Sequence, residues 1–340
     1  MSGTVLVTGG SGFLGCHTIV RLVDQGYSVR TTVRSEDKAQ VTRGMLQKAG
    51  VDASLVEFHR ADLLADDGWA EACSGCGFVL HVASPFFQAR TEDELVRPAV
   101  EGVHRVLQAA REAGVGRVVF TSTCGAIYYG HPARTDPFDE SDWTVVEAPD
   151  VSPYVKSKTL AERAAWDFMA REGGALELAV VNPSGIFGPV LGPDYSSSLD
   201  MIKRLLDGSM SACPDLWFGV VDVRDVADLH IQVMKSPAAN GKRFIATQGG
   251  AVSMRAIAKL LRRRLGERGS KIPRWPLPSS VIRLLASRNP EMRGLLPLLG
   301  KIRNASSEKA MRNFNWKPRS WEEAVLATAV SLIELQIVGG

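Results

Sequence analysis

The chain has 340 residues, enough for one large domain or two lobes at the usual ~100–200 residues per domain. Hydrophobic residues make up 45% and charged residues 23%, which excludes a disordered chain. Lys and Arg number 40 against 37 Asp and Glu; the net charge of +3 reads as spread along the length, so no nucleic-acid partner is expected.

No run reaches the ~18 apolar residues of a membrane span, and the N-terminus lacks the basic start and small-residue cleavage site of a signal peptide, so no membrane partner is expected. Five cysteines, an odd number, fit reduced thiols and a cytoplasmic location.

In chain order, β-branched runs predict strands at Thr4 to Thr8, Ser28 to Val33, Leu55 to Phe58, Phe78 to Val82, Arg117 to Thr121 and Leu176 to Val181. Helical patterns lie between them at Phe13 to Asp24, Asp37 to Ala49, Asp67 to Cys73, Glu92 to Ala113 and Pro153 to Arg171. This βα alternation predicts an α/β, Rossmann-type doubly wound parallel sheet. Beyond Asn182 the pattern predicts a helix near Ser197 to Leu206, a strand near Trp217 to Val221, a helix near Arg224 to Lys235 and a strand at Arg243 to Thr247. The last two return to the main sheet, and Ser253 to Gly340 reads as helical, interrupted by prolines. Residues 1–182 and 219–250 are therefore expected to form a dinucleotide-binding domain, and 183–218 and 251–340 a smaller, mostly helical substrate lobe.

The first strand runs into Thr8-Gly9-Gly10-Ser11-Gly12-Phe13-Leu14-Gly15 before a helix begins. Gly9 permits a tight turn, Gly12 lets backbone N–H groups approach a pyrophosphate, and Gly15 lets helix and strand pack closely, with the helix N-terminus facing the anion. Gly9, Ser11, Gly12, Phe13, Leu14 and Gly15 are thus candidate cofactor ligands. At the end of the second strand an NAD site places a carboxylate, but the sequence reads Thr31-Thr32-Val33-Arg34. Arg34, with Lys38 one turn later, suits a 2′-phosphate, so the expected cofactor is NADP(H). Glu36 and Asp37 lie nearby and equally suit the opening of the next helix.

Tyr154 and Lys158 stand four residues apart behind Ser152 and Pro153, an N-cap and a first helical residue, so both share one helix face. A phenol with a reference pKa near ~10 needs a neighbouring ammonium to stabilise its anion, and Lys158 supplies one. Strand five ends in Thr121-Ser122-Thr123, where the C-terminal strand ends of a parallel sheet form the ligand crevice.

With these motifs, His81-Val82-Ala83-Ser84-Pro85 and Asn182-Pro183, the sequence resembles the extended short-chain dehydrogenase/reductases, specifically the dihydroflavonol reductase, cinnamoyl-CoA reductase and NADPH-dependent aldehyde reductase group. The resemblance implies that Tyr154 donates a proton to the substrate carbonyl, that Thr123 orients its oxygen, and that Lys158 also holds the nicotinamide ribose. That family usually has Ser where this chain has Thr123, which leaves Ser122 as the alternative hydroxyl. By the same match Asp62 contacts the adenine with Leu63 beside it, Ala83 and Ser84 line the cofactor, and Pro183 and Ser184 back the nicotinamide.

Cys73-Ser74-Gly75-Cys76 reads as core or loop cysteines, and the six scattered histidines give no metal motif. Asp222, Arg224 and Asp225 read as a helix cap with an ion pair. Phe86, Phe87, Ile127, Tyr128, Leu191, Tyr195, Trp217 and Phe218 are expected to rim an apolar or aromatic substrate pocket. The expected activity is NADPH-dependent reduction of an aldehyde or ketone. The alternatives are an NAD-retaining sugar-nucleotide epimerase or dehydratase, a 3β-hydroxysteroid dehydrogenase-like activity, or a dinucleotide sensor without turnover. The apolar stretch Trp321 to Val338 packs either on the body or on a second copy, which leaves a homodimer open.

Overall fold

The computed structural model describes residues 3–85, 91–192 and 197–338. The first half alternates as the sequence predicts: β1 (Thr4–Thr8), α1 (Phe13–Asp24), β2 (Val29–Val33), α2 (Glu36–Lys48), β3 (Val56–Arg60), α3 (Trp69–Cys73), β4 (Cys76–His81), α4 (Asp93–Glu112), β5 (Arg117–Thr121), α5 (Pro153–Glu172) and β6 (Glu177–Pro183). The second half is more broken: β7 (Gly185–Phe187), α6 (Asp200–Leu206), β8 (Cys213–Pro214), β9 (Trp217–Phe218), β10 (Val220–Asp222), α7 (Val223–Lys235), β11 (Lys242–Ala246), β12 (Val252–Ser253), α8 (Met254–Leu265), β13 (Pro276–Leu277), α9 (Ser279–Leu285), α10 (Pro290–Leu295), α11 (Glu308–Phe314) and α12 (Trp321–Glu334).

Seven strands form one parallel sheet in the order β11-β6-β5-β4-β1-β2-β3. The order reverses between β1 and β4, which is where a doubly wound sheet opens its ligand crevice. Both faces are buried, as strand alternation requires. Val5, Val7, Val119, Ala179 and Val181 pack into one core with α1, α7, α8 and α12. Leu6, Val118, Phe120, Leu178 and Val180 point the other way, into the core with α3, α4 and α5.

The expected strand near Trp217 to Val221 is two short strands instead. β10 leaves the main sheet to pair in parallel with β7, and β9 pairs antiparallel with β12. Gly219 separates them because a Cβ there would sit 2.7 Å from Ser184 Cβ. The C-terminal stretch packs on the body: Thr328 donates to the Gly188 carbonyl at 3.0 Å, and the Val190 amide donates to Ser331 at 2.8 Å. Ser320 and Glu323 start α12 with a reciprocal capping box.

Candidate active site

A cavity of about 1060 Å³ opens over the C-terminal ends of the main strands and extends under α6, α10 and the β8–β9 segment. Every expected catalytic and cofactor-binding residue borders it: Gly9, Ser11, Gly12, Phe13, Leu14, Gly15, Arg34, Lys38, Asp62, Leu63, Ala83, Ser84, Thr123, Tyr154, Lys158, Pro183 and Ser184.

At its dinucleotide end, Gly9 turns with φ +71°, and a Cβ there would meet the Ala83 Cα at 2.9 Å. A Cβ on Gly15 would overlap the Gly9 carbonyl oxygen, so α1 approaches the turn as only glycine allows. Gly12 is the N-cap and offers no side chain, which leaves the first amides of α1 without a side-chain acceptor. That is a cradle for an anion. Thr8 Oγ1 accepts from the Ala83 amide at 3.0 Å and pairs with His81 Nδ1 at 2.8 Å, tying the ends of β1 and β4 together. Burial, with the Lys158 charge adding to it, pushes the His81 imidazole down to about 3, so it packs as a neutral ring against Phe120.

Arg34 is exposed immediately after β2, beside this cradle. Ser35 caps α2, and Glu36 and Asp37 fill that helix's first turn. The nearby carboxylates therefore belong to the helix start. Across the cleft, Asp62 Oδ1 accepts from the Leu64 amide at 3.0 Å, which holds the loop after β3 against the cavity.

At the chemical end, Ser152 caps α5 by accepting from the Val155 amide, and Pro153 occupies the first turn. Lys158 Nζ lies 5.8 Å from the Tyr154 ring centroid and donates to Ser84 Oγ. Burial brings the Lys158 pKa down to about 8, which leaves the ammonium mostly charged at neutral pH. Tyr154 is 45% exposed along the cleft, yet desolvation there, reinforced by Tyr129, raises its phenol above the ordinary value. The phenol thus holds its proton. Thr123 Oγ1 accepts from the Gly125 amide at 3.0 Å, which leaves its own hydrogen available to an acceptor in the cleft.

Ser122 is engaged elsewhere. Its hydroxyl donates to Glu162 Oε2 at 2.5 Å within a buried network that the sequence reading missed. Arg243 Nε donates to Glu162 Oε1 at 2.6 Å, and Asn182 Nδ2 donates to Glu162 Oε2 at 2.8 Å and to the Thr123 carbonyl at 3.2 Å. One carboxylate thereby ties α5 to the ends of β5 and β6 and to β11. The available signal was periodicity: Glu162 follows Lys158 by four residues and Tyr154 by eight, on the same face of α5.

The far end of the cavity is lined by Ile186, Met201, Met210, Leu216, Trp217 and Phe218. Of the expected rim residues, Tyr128, Trp217 and Phe218 border the cavity. Ile127 is instead buried with Cys124, Phe138 and Ile245, and Leu191 packs against the main core. Phe86, Phe87 and Tyr195 lie outside the described residues. Tyr129, Arg204 and Glu291 also border the cavity and were not foreseen; the last two form an ion pair between α6 and α10.

Cys73 and Cys76 are buried free thiols whose pKa burial raises, Cys73 to about 12, so neither is an activated thiolate. Asp222 caps α7 by accepting from the Arg224 amide at 2.9 Å and pairs with the Arg224 guanidinium, as a structural cap does. Among the described residues no group of three His, Cys, Asp or Glu side chains is placed to hold a metal ion, and no helix is long and apolar enough to cross a membrane.

Comparison with known proteins agrees with this geometry. Residues 5–246 match the model of the NAD dependent epimerase/dehydratase family. Cinnamoyl-CoA reductase 1 of Arabidopsis thaliana is 36% identical over 81% of this chain and 77% of its own length. Dihydroflavonol 4-reductase of Zea mays is 33% identical over 78% of this chain and 75% of its own. Among solved structures, the yeast methylglyoxal/isovaleraldehyde reductase Gre2, complexed with NADPH, superposes with a TM-score of 0.81 at 25% identity, covering 98% of this chain and 99% of that one. The chain belongs to the NAD-dependent epimerase/dehydratase family, within the extended short-chain dehydrogenase/reductases that include the cinnamoyl-CoA and dihydroflavonol reductases.

Proposed function

We propose that this protein reduces an apolar or aromatic aldehyde or ketone to its alcohol with NADPH, Tyr154 being the proton donor. Membership of its family makes it an NAD(P)-dependent oxidoreductase. The observation that carries the finer reading is a single cavity. It joins the uncapped start of α1 and Arg34 to the Tyr154–Lys158 pair, and that pair to a methionine- and aromatic-lined end.

The residues present fit NADP(H). The amides of the glycine turn accommodate a pyrophosphate, Arg34 pairs with a 2′-phosphate with Lys38 beside it, and Asp62 and Leu63 border the adenine side. Ala83 and Ser84 line the cofactor. Pro183 and Ser184 would back the nicotinamide; the Ser184 hydroxyl is buried without a hydrogen-bond partner among the described residues and so suits a polar group of the ligand.

NADPH, when bound, supplies the hydride. Thr123 donates to the substrate oxygen and fixes its direction, Tyr154 passes its proton to that oxygen, and the Lys158 ammonium stabilises the phenolate that remains. Lys158 also binds the nicotinamide ribose, with Ser84 steadying its amine. Under the same reading, residues 1–182 and 219–250 serve the dinucleotide, and 183–218 and 251–340 cover the substrate.

The test is NADPH oxidation by the purified protein against a panel of aromatic and aliphatic aldehydes and ketones. Carbonyl-dependent loss of the nicotinamide absorbance supports the reading. A tightly copurifying NAD that no carbonyl oxidises would replace it with the epimerase type.

A further inference from the structure

The whole-chain charge of +3 conceals an uneven distribution. Residues 262–293 hold nine Lys and Arg and two Asp and Glu, a net charge of +7, so the remainder of the chain carries −4. Arg263, Arg264, Arg268, Lys271, Arg274, Arg283 and Arg288 are all exposed, and none of them forms an ion pair among the described residues.

The same segment exposes apolar side chains that a solvated face does not need. Trp275 and Leu284 are each 76% exposed, and Val281 and Leu285 are exposed beside them in sequence. On α9, Val281, Leu284 and Leu285 fall at i, i+3 and i+4 and share one outward face, while Ile282 is buried and anchors the helix. The segment is held together and to the body. Arg262 donates to the Pro273 carbonyl, the Cys213 amide donates to the Trp275 carbonyl at 3.0 Å, and Arg293 Nε donates to the Ala286 carbonyl at 3.1 Å. The outward Trp and Leu side chains are thus presented by a fixed backbone.

We propose that this surface docks on an anionic lipid bilayer, with Trp275, Val281, Leu284 and Leu285 entering the headgroup region and the flanking arginines pairing with lipid phosphates. Charge selects this occupant. A second copy docked face to face would set +7 against +7, which like-charge repulsion opposes. A nucleic-acid backbone would satisfy the arginines and leave the exposed apolar face in water. An anionic interface complements both, since basic residues flanking Trp and Leu on an amphipathic segment match headgroup phosphate and acyl chain together. Leu277 and Met292 of the same segment line the far end of the active-site cavity, so the docking surface and the cavity share one stretch of chain.

The experiment is co-sedimentation of the intact protein with vesicles of phosphatidylcholine alone and of phosphatidylcholine mixed with phosphatidylglycerol, at low salt and at about 1 M salt, where screening acts within ~3 Å. It is read without cofactor or turnover, so its outcome is separate from that of the reductase reading. The protein is expected to pellet with the anionic vesicles only, and to be released by high salt. Leu284→Ser with Leu285→Ser, and separately Arg283→Glu with Arg288→Glu, should each weaken partitioning at least tenfold while leaving the thermal melt unchanged. The proposal is overturned by failure to pellet with anionic vesicles at low salt. It is equally overturned by a dimer that Leu284→Ser with Leu285→Ser dissociates, or by duplex-DNA binding that survives that variant in a protein that ignores vesicles.

Discussion

Ser122 gives its hydroxyl to the buried Glu162 carboxylate at 2.5 Å, while the next residue, Thr123, keeps its side chain at the cleft. Two adjacent hydroxyls at the end of one strand therefore differ in surroundings: the Ser122 hydrogen is committed to Glu162, whereas Thr123 Oγ1 only accepts, from the Gly125 amide, and is the one the proposed mechanism uses to orient the substrate. Glu162→Gln would leave the Arg243 guanidinium buried without its counter-charge, a loss of about 3–5 kcal/mol for a broken buried pair. The expected result is a lower melting temperature together with a lower kcat. In Glu162→Gln with Arg243→Met the melting temperature should largely return, because no lone charge remains buried. The kcat should stay low, because an uncharged amide holds the Ser122 and Asn182 donors, and with them the Thr123 turn, more weakly than the carboxylate does. Recovery of both would reduce the network to a purely structural one.

Arg34→Ala should weaken NADPH binding by ~10–100-fold, the equivalent of one charge-assisted contact of ~1.5–3 kcal/mol, and leave NADH nearly unaffected. Parallel fluorescence titrations of the two cofactors measure this. Equal losses for both would remove the 2′-phosphate from the role of Arg34.

Gly15→Ala places a methyl group against the Gly9 carbonyl. The turn must shift to admit it, at the ~1–3 kcal/mol typical of overpacking, and its amides then miss the pyrophosphate. NADPH and NADH affinities should fall together by at least tenfold, in contrast to Arg34→Ala. Calorimetric titration distinguishes the two patterns.

Lys158 has its pKa lowered to about 8 by burial, from an ordinary value near 10.5. The unfolded chain therefore binds more protons than the native one between these values, and the stability contribution of this group rises with pH across that window. Under the proposed mechanism activity runs the opposite way, because the charge assigned to stabilising the Tyr154 anion is lost as pH rises through about 8. A kcat profile should decline above about pH 8, and Lys158→Arg, which stays charged, should move the decline upward at a reduced maximal rate. A profile flat to pH 10 in the unsubstituted protein would contradict a role for this charge.

The parts of the molecule that were legible in the sequence are those governed by local rules. The glycine turn is dictated by backbone clearance, the α5 start by Ser152 and Pro153, and the parallel sheet by apolar runs at βα spacing. The Glu162 network was hidden because its carboxylate meets Ser122, Asn182 and Arg243 from three separate strands, and no local pattern announces such a meeting. Ile127 was misplaced for a related reason: an apolar residue just past a strand end suits a pocket rim or a core equally, and packing against Phe138 and Ile245 decides it. The split of the Trp217 region into β9 and β10 follows from partners at Ser253 and Gly185 that become neighbours only in the fold. The basic surface of residues 262–293 escaped notice because acidic residues elsewhere cancel it in the total.

Tyr154 is proposed as the acid of an NADPH-dependent carbonyl reduction. The most direct measurement takes Tyr154→Phe and the unsubstituted protein side by side, titrating NADPH and then following its oxidation by the best carbonyl of the panel. NADPH affinity should stay within a few-fold of the unsubstituted protein and turnover should fall by ~10²–10⁴-fold, the usual contribution of a positioned general acid. Undiminished turnover in Tyr154→Phe would contradict it.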